Sequence, residues 1–492
     1  MQGSRRRFFQ QSGLLTAATL SFPGVVRSKA EAAADAPPHR IIHLVADGTS
    51  SGTWTLGDYF SRLKRGRGLR WFDLLQRPGA VWTWMNMRSL NSSVTDSAAA
   101  SSAWGSGSRV MNGVLNQLPD GRELRPLYSV MAEAGWKRGL VTTTEITHAT
   151  PAGFAAVTAS RSNAEVIAAQ YLAGRVEVLL GGGRKYFDPK TRKDQRDLAG
   201  DFARAGYAVV NDAADLAQAP LDKPLLGTFA SGHLPYTLDQ LGDAEFQAKV
   251  PTLAQMTARA LRYLERSDRF ILQVEGGRVD HAAHANDIAA AVQDLVAFDE
   301  ALEVCLDFQR RAPETLLVVT TDHGTANPGL NGSGSEYGSS SQLFANTLRV
   351  RRSFERMEPD FKKLASAAEL RAFLKTWTDF EPSAAKADLL LRIAEKKAGV
   401  LYDGMNAVEL QLGQLMANFL GVGFTGGAHT ADFVPLVACG PGAERFRGFL
   451  QNTDVFRGYL TLAGIDFRNP DAPLLAEAGP RADQVEALPR WA

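Results

Sequence analysis

Apolar, β-branched runs punctuate the chain at Ile41–Ala46, Gly139–Thr144, Val176–Leu180, Tyr207–Val210, Phe270–Val274, Leu316–Thr321 and Phe433–Cys439. Each is short and nearly uninterrupted, as expected of a strand buried in a sheet. Between several of them the apolar positions change to helical spacing, as in Asn163–Leu172 and Pro251–Arg266. In the second, Leu253, Met256, Ala260, Leu261 and Leu264 share a face and Pro251 stands near the first turn. A further helix is predicted after His284, where Ile288, Val292, Leu295, Leu302 and Leu306 recur at three-, four- and seven-residue spacings. Strands alternating with helices predict an α/β fold, a three-layer sandwich around a large, mainly parallel β-sheet.

One region departs from this rhythm. Residues 327–341 are rich in Gly, Ser and Asn, and residues 349–420 read as mostly helical. Ser366…Glu369 and Asn406…Glu409 fit capping-box starts, and the helix after the second is expected to stop near Gly421. Residues 327–425 therefore read as a mostly helical insertion, covering the site or joining subunits. Residues 35–326 and 426–492 then form the α/β domain.

The first 34 residues read as an export signal. Ser4-Arg5-Arg6-Arg7-Phe8-Phe9 is a twin-arginine pattern, an apolar segment runs from Gly13 to Phe22, and Ala30–Ala34 offers cleavage points. Periplasmic or secreted localisation follows. With 492 residues, 45% of them hydrophobic, and a net charge of +1, the chain has a large core and no global field suited to nucleic acid. No apolar run is long enough to span a bilayer. The two cysteines, Cys305 and Cys439, fall in apolar surroundings and are expected to be buried free thiols.

Chemistry-bearing residues gather at the C-terminal ends of the apolar runs, where open α/β sheets build their sites. Asp47-Gly48 follows the first run, and Glu275, Asp280, His281 and His284 follow Phe270–Val274. Thr321-Asp322-His323 follows Leu316–Val319, and Gly426-Gly427-Ala428-His429 precedes the last run. Gly276 and Gly277 are expected to turn the chain sharply between Glu275 and the rest. Mixed Asp/His sets suit zinc, and an oxygen-only subset suits magnesium. Ser97, in Val94-Thr95-Asp96-Ser97-Ala98-Ala99, stands where a helix N-terminus favours an anion, and a metal would activate it as nucleophile.

The ordered set Asp47-Gly48, Thr95-Asp96-Ser97-Ala98-Ala99, Ala149-Thr150-Pro151, Arg161, Gly181–Tyr186, Val274-Glu275-Gly276, Asp280…His284, Thr321-Asp322-His323 and His429-Thr430 resembles the alkaline phosphatases. The likeness runs from about residue 40 to 460, interrupted by the insertion. It implies two Zn2+ and one Mg2+. One zinc would be held by Asp280, His284 and His429, the second by Asp322, His323 and Asp47 with Ser97. Asp47 would bridge to a magnesium completed by Thr150 and Glu275. Arg161 would clamp two phosphate oxygens, and His148 and His281 would support the third site from behind. Two imidazoles there lead us to expect that Zn2+ or Co2+ competes with Mg2+.

The implied activity is exported, metal-dependent hydrolysis of phosphate monoesters through a phosphoserine on Ser97, rising toward alkaline pH. A homodimer is expected from the family. The alternatives are a phosphodiesterase or sulfatase of the same superfamily, or a catalytically silent metal- or phosphate-binding protein.

Overall fold

Strand β1 (Arg40–Val45) lies at the centre of a ten-stranded sheet. Its alternate residues divide the interior: Ile42 and Leu44 face one apolar core, Ile41 and Val45 the other. A strand buried on both faces is mainly apolar, which is why its sequence reads as a run broken only by His43, whose Nδ1 lies 2.7 Å from Tyr459 Oη. The other strands are β2 (Val81–Asn86), β3 (Lys137–Glu145), β4 (Val178–Gly182), β5 (Ala208–Val210), β6 (Leu225–Thr228), β7 (Phe270–Glu275), β8 (Thr315–Thr320), β9 (Val434–Cys439) and β10 (Leu450–Gln451). Their order is β10-β2-β9-β8-β1-β7-β3-β4-β6-β5, and all pairings are parallel except those of β9 with β8 and β2. Helices cover both faces, so the architecture is the expected three-layer α/β sandwich. This computed structural model describes residues 37–332 and 334–472; the twin-arginine segment lies outside the described residues.

Several local expectations change. Strand β2 escapes the hydrophobicity pattern because its outward positions, Trp82 and Trp84, are themselves apolar, which hides the alternation. The helix Val408–Leu420 starts from Ala407 with no side-chain cap, so the Asn406 capping box does not form. Ser366 does cap its helix, accepting from Glu369 N–H. Neither Gly276 nor Gly277 has a positive φ, so neither makes the sharp turn expected of it. They are needed for space: a Cβ at Gly277 would lie 2.4 Å from Thr144 Cγ2, and one at Gly276 3.0 Å from Phe298.

Between β8 and β9 the chain leaves the sheet. Gly329–Leu330 pairs antiparallel with Val422–Gly423, and helices Phe354–Phe361, Ala367–Thr378, Ala384–Ala394 and Val408–Leu420 lie between. Ser353 N–H and Oγ donate to the two oxygens of Asp239, and Phe354 N–H to Asp287 Oδ2 at 2.7 Å, which pins the first of these helices to the sheet domain. Cys305 and Cys439 are free and buried. Among the described residues no helix is long and apolar enough to cross a membrane.

Candidate metal centre

Because β1, β7 and β8 are adjacent and parallel, their C-terminal ends place Asp47, Glu275, Asp322 and His323 side by side. All four are buried. Asp280 and His284 sit one turn apart on the short helix Arg278–His284, not on a loop, so both project to the same side. The antiparallel entry of β9 brings His429 to this end of the sheet, where His429–Thr430 pairs with Gly324–Thr325. Three groups with metal-ligand spacing result: Asp280, His284 and His429; Asp47, Asp322 and His323; and Asp47, His148 and Glu275.

Proton positions in the first group can be worked out from the hydrogen bonds. His284 Nδ1 lies 2.8 Å from Gly427 O, and His429 Nδ1 lies 2.8 Å from Thr95 O. A carbonyl only accepts, so both Nδ1 atoms carry hydrogen and both neutral Nε2 atoms present lone pairs. Those two Nε2 atoms face each other at 2.9 Å, with Asp280 Oδ2 3.3 Å from that of His284. Such a meeting of lone pairs requires a proton or a cation between them. Backbone carbonyls that fix the tautomer of ligating histidines are the usual support of a metal.

The second group excludes a serine-protease-like reading. Ser97 Oγ is 3.2 Å, Asp322 Oδ2 3.0 Å and Asp47 Oδ1 3.6 Å from one atom, His323 Nε2. A triad would put the carboxylate on the opposite ring nitrogen. Here that nitrogen meets Thr325 Oγ1 at 3.3 Å, and Thr325 donates its own hydrogen to Asp280 Oδ1 at 2.5 Å. Nucleophile, imidazole and two carboxylates therefore converge as ligands would. Asp47 Oδ1, Asp322 Oδ2 and Glu275 Oε1 are buried without hydrogen-bond partners, so the donor set fits cations.

The electrostatics agree. Burial, reinforced by Asp322, Asp280 and Glu275, holds Asp47 well above the usual carboxylate range. Burial also pushes Glu275 up to about 7. At Asp322 burial acts in the same direction but His323 outweighs it, bringing the carboxyl down to about 2. Burial, aided by His323, lowers His429 to about 3. Four buried carboxylates, Asp47, Glu275, Asp280 and Asp322, meet at this end of the sheet, and their mutual repulsion calls for added positive charge.

In the third group, Thr150 Oγ1 donates to Asp47 Oδ2 at 3.3 Å, and Thr142 and Thr144 donate to Glu275 Oε2. His148 Nδ1 is 3.9 Å from Glu275 Oε1. Arg161 Nη2 lies 3.0 Å from His148 Nε2; a guanidinium only donates, so with Arg161 in this place the His148 hydrogen is on Nδ1. Arg278 Nη1, 2.7 Å from His281 Nδ1, likewise puts the His281 hydrogen on Nε2. His148 thus presents an N–H rather than a lone pair toward Glu275, and the remaining His281 nitrogen, buried, is an N–H as well.

Ser97 is the first residue of the helix Ser97–Ser106, whose N-cap Asp96 accepts from Ala99 N–H. Asp96 has a second task missed in the sequence, since its other oxygen accepts from Arg161 Nη1 at 3.1 Å and aims the guanidinium. Thr325 was also missed, because a threonine in a Gly-rich loop carries no pattern of its own. His233 completes a cluster of three edge-packed imidazoles with His148 and His281, at centroid distances of 4.5–5.8 Å.

A family profile described as "Alkaline phosphatase" matches residues 39–464. Alkaline phosphatase 3 of Bacillus subtilis is 35% identical over 372 residues, covering 74% of this chain and 75% of that protein. The crystal structure of Thermus thermophilus alkaline phosphatase superposes with a TM-score of 0.82 at 35% identity, covering 93% of this chain and 98% of that one. A cold-active enzyme from a Shewanella species gives 0.72 at 27% identity, over 86% and 99% of the two chains.

Proposed function

The chain belongs to the alkaline phosphatase family and is a hydrolase of that type; from this premise we propose that it hydrolyses phosphate monoesters through a phosphoserine on Ser97. One observation carries the proposal: Ser97 Oγ shares a single point of convergence with His323, Asp322 and Asp47, and the adjacent Asp96 holds a buried arginine, Arg161. In this reading Asp280, His284 and His429 hold one zinc, and Asp47, Asp322 and His323 hold the second. Thr150, Glu275 and the shared Asp47 hold a magnesium. The cations would supply the positive charge that lowers the Ser97 pKa and stabilises the phosphoryl and departing oxygens.

The chain's own groups do the rest. The N-terminal dipole of helix Ser97–Ser106 faces the phosphoryl group. Arg161, steadied by Asp96 and His148, offers two parallel N–H groups to two phosphoryl oxygens. Ser97 Oγ attacks phosphorus as the P–O bond to the alcohol breaks, and water then cleaves the phosphoserine, regenerating the hydroxyl. The proton positions on His148 and His281 bear on the third cation: they leave it oxygen ligands only, which suits Mg2+ over the Zn2+ or Co2+ expected from counting imidazoles. Export by the twin-arginine route, homodimer assembly and the status of residues 327–425 as an insertion roofing the site belong to the same proposal.

The test is hydrolysis of an aryl phosphate monoester beside the corresponding diester, with and without EDTA, with bound metals counted. Ser97→Ala should abolish turnover and keep the metals. Near-normal activity in that variant would sink the nucleophile assignment, and faster diester turnover would point to a phosphodiesterase on the same frame.

A further inference from the structure

A cavity of about 480 Å3 opens beside the metal centre, between the sheet domain and the helices that follow β8. Its inner end is formed by His284, of the first metal group, and by His281. Its walls are apolar: Phe354, Met357, Leu391 and Leu412 come from three of the helices. Several of the charged groups that line it are held in ion pairs. Arg278 meets Glu355 at 2.6 Å and lies 3.8 Å over the Tyr236 ring, while Glu358 pairs with Lys362 at 2.6 Å. The roof is fixed by the bonds from Ser353 and Phe354 to Asp239 and Asp287. The chamber is therefore preformed, lined largely by apolar side chains with ion-paired groups among them, and a candidate metal ligand is part of its wall.

We propose that this cavity binds the alcohol portion of the substrate, and that the enzyme prefers phosphate monoesters of extended apolar alcohols, alkyl or aryl. The inference rests on the proposed phosphomonoesterase activity and follows from the geometry of displacement. Ser97 Oγ converges with the second group of ligands, so with cations held by both groups an in-line reaction would place the departing oxygen on the opposite side of phosphorus, toward the first. His284 belongs to that first group and lines the cavity, so the carbon skeleton on the departing oxygen has the cavity before it. As the Ser97 Oγ–P bond forms, the P–O bond to the alcohol breaks; the alcohol oxygen keeps the electron pair and takes a proton from water. Remote binding energy of this kind raises kcat/KM when it is kept in the transition state.

The experiment compares kcat/KM for methyl, butyl and hexyl phosphate with the metal-loaded enzyme, alongside 1-naphthol binding to the EDTA-treated protein by fluorescence. Each buried methylene is worth roughly fourfold, so hexyl phosphate with only two of its added methylenes buried should exceed methyl phosphate by about tenfold. Leu412→Trp and, separately, Met357→Trp narrow the chamber and should lower that ratio and weaken naphthol binding, and the double variant should do both more strongly. A ratio near one in the wild-type enzyme, or one unchanged in all three variants, overturns the inference while leaving the phosphomonoesterase reading intact. Loss of all turnover strikes the phosphomonoesterase reading, and naphthol binding then decides whether the chamber is an apolar site. Tighter binding to the wild type than to the narrowed variants upholds it, and no binding to the wild type refutes it.

Discussion

Gly48 joins two of the metal groups, and its replacement by alanine isolates how closely they must approach. It follows Asp47, donates its N–H to Asp322 Oδ1 at 3.1 Å, and has φ +66°. A Cβ there would lie 2.3 Å from Asp280 Oδ1, 2.6 Å from Asp280 Cβ and 2.8 Å from Asp280 Cα. A rotamer change cannot relieve the last contact, because it is with backbone. Left-handed backbone costs an L-residue roughly 1–2 kcal/mol. Overpacking in a rigid interior adds about 1–3 kcal/mol, so Gly48→Ala should lose about 2–5 kcal/mol.

Gly66 is the control, with φ +70° and nothing within 4 Å of a built Cβ. Gly66→Ala should lose only the backbone part, roughly 1–2 kcal/mol, and keep full activity. Moving Asp47 against Asp280 by even about 1 Å should lower kcat/KM by on the order of 100-fold. Urea unfolding of both variants, an aryl phosphate assay and metal counting read these outcomes. Equal stability losses in the two variants, or a Gly48→Ala enzyme with full metal content and activity, would show that the close approach of Asp47 to Asp280 is unnecessary.

Arg161→Lys keeps the charge but cannot span Asp96 and His148 as the guanidinium does at 3.1 and 3.0 Å; inhibition by inorganic phosphate should weaken by about 10- to 150-fold, read from steady-state inhibition. Thr325→Val preserves shape but removes the hydroxyl that holds Asp280 and meets His323, so zinc affinity should fall by about 10- to 100-fold in competition with a chelator, and unchanged affinity would refute a positioning role. Asp294 is buried, which raises its carboxyl from 3.8 to about 7 while Thr237 donates to both its oxygens. Its folded state holds the proton longer than the unfolded chain, so its stabilising share is complete below about pH 4 and is lost as pH rises to 7. Asp294→Asn can keep both Thr237 bonds without ionising; its stability relative to wild type should therefore climb from pH 4 to 7 by up to about 4 kcal/mol, and a flat difference in urea midpoints would contradict the burial argument.

Much of the site is already legible in residue order, for a simple reason. Buried parallel strands need unbroken apolar runs, and the polar residue that ends each run must lie at the same edge of the sheet, as Asp47, Glu275 and Asp322 do. Residue type then sets the chemistry, since Asp and His offer metal ligands and Ser97 at a helix start offers a nucleophile. Other features depend on neighbours far apart in the chain. The reversed direction of β9 and the helical turn that aligns Asp280 with His284 come from packing. The space that Gly276 and Gly277 leave for Phe298 and Thr144 has the same origin.

Proton placement is the sharpest case. Four histidines, His148, His281, His284 and His429, bring the same side chain to the site. Two meet carbonyls at Nδ1 and keep lone pairs on Nε2 for a metal, while two meet guanidiniums and carry hydrogen on the other nitrogen. An imidazole has one lone pair and one hydrogen to distribute, and the partner across the fold chooses which nitrogen receives each. The apolar chamber beside His284 has the same origin: Met357, Leu391 and Leu412 become its walls only when three separate helices fold over the end of the sheet.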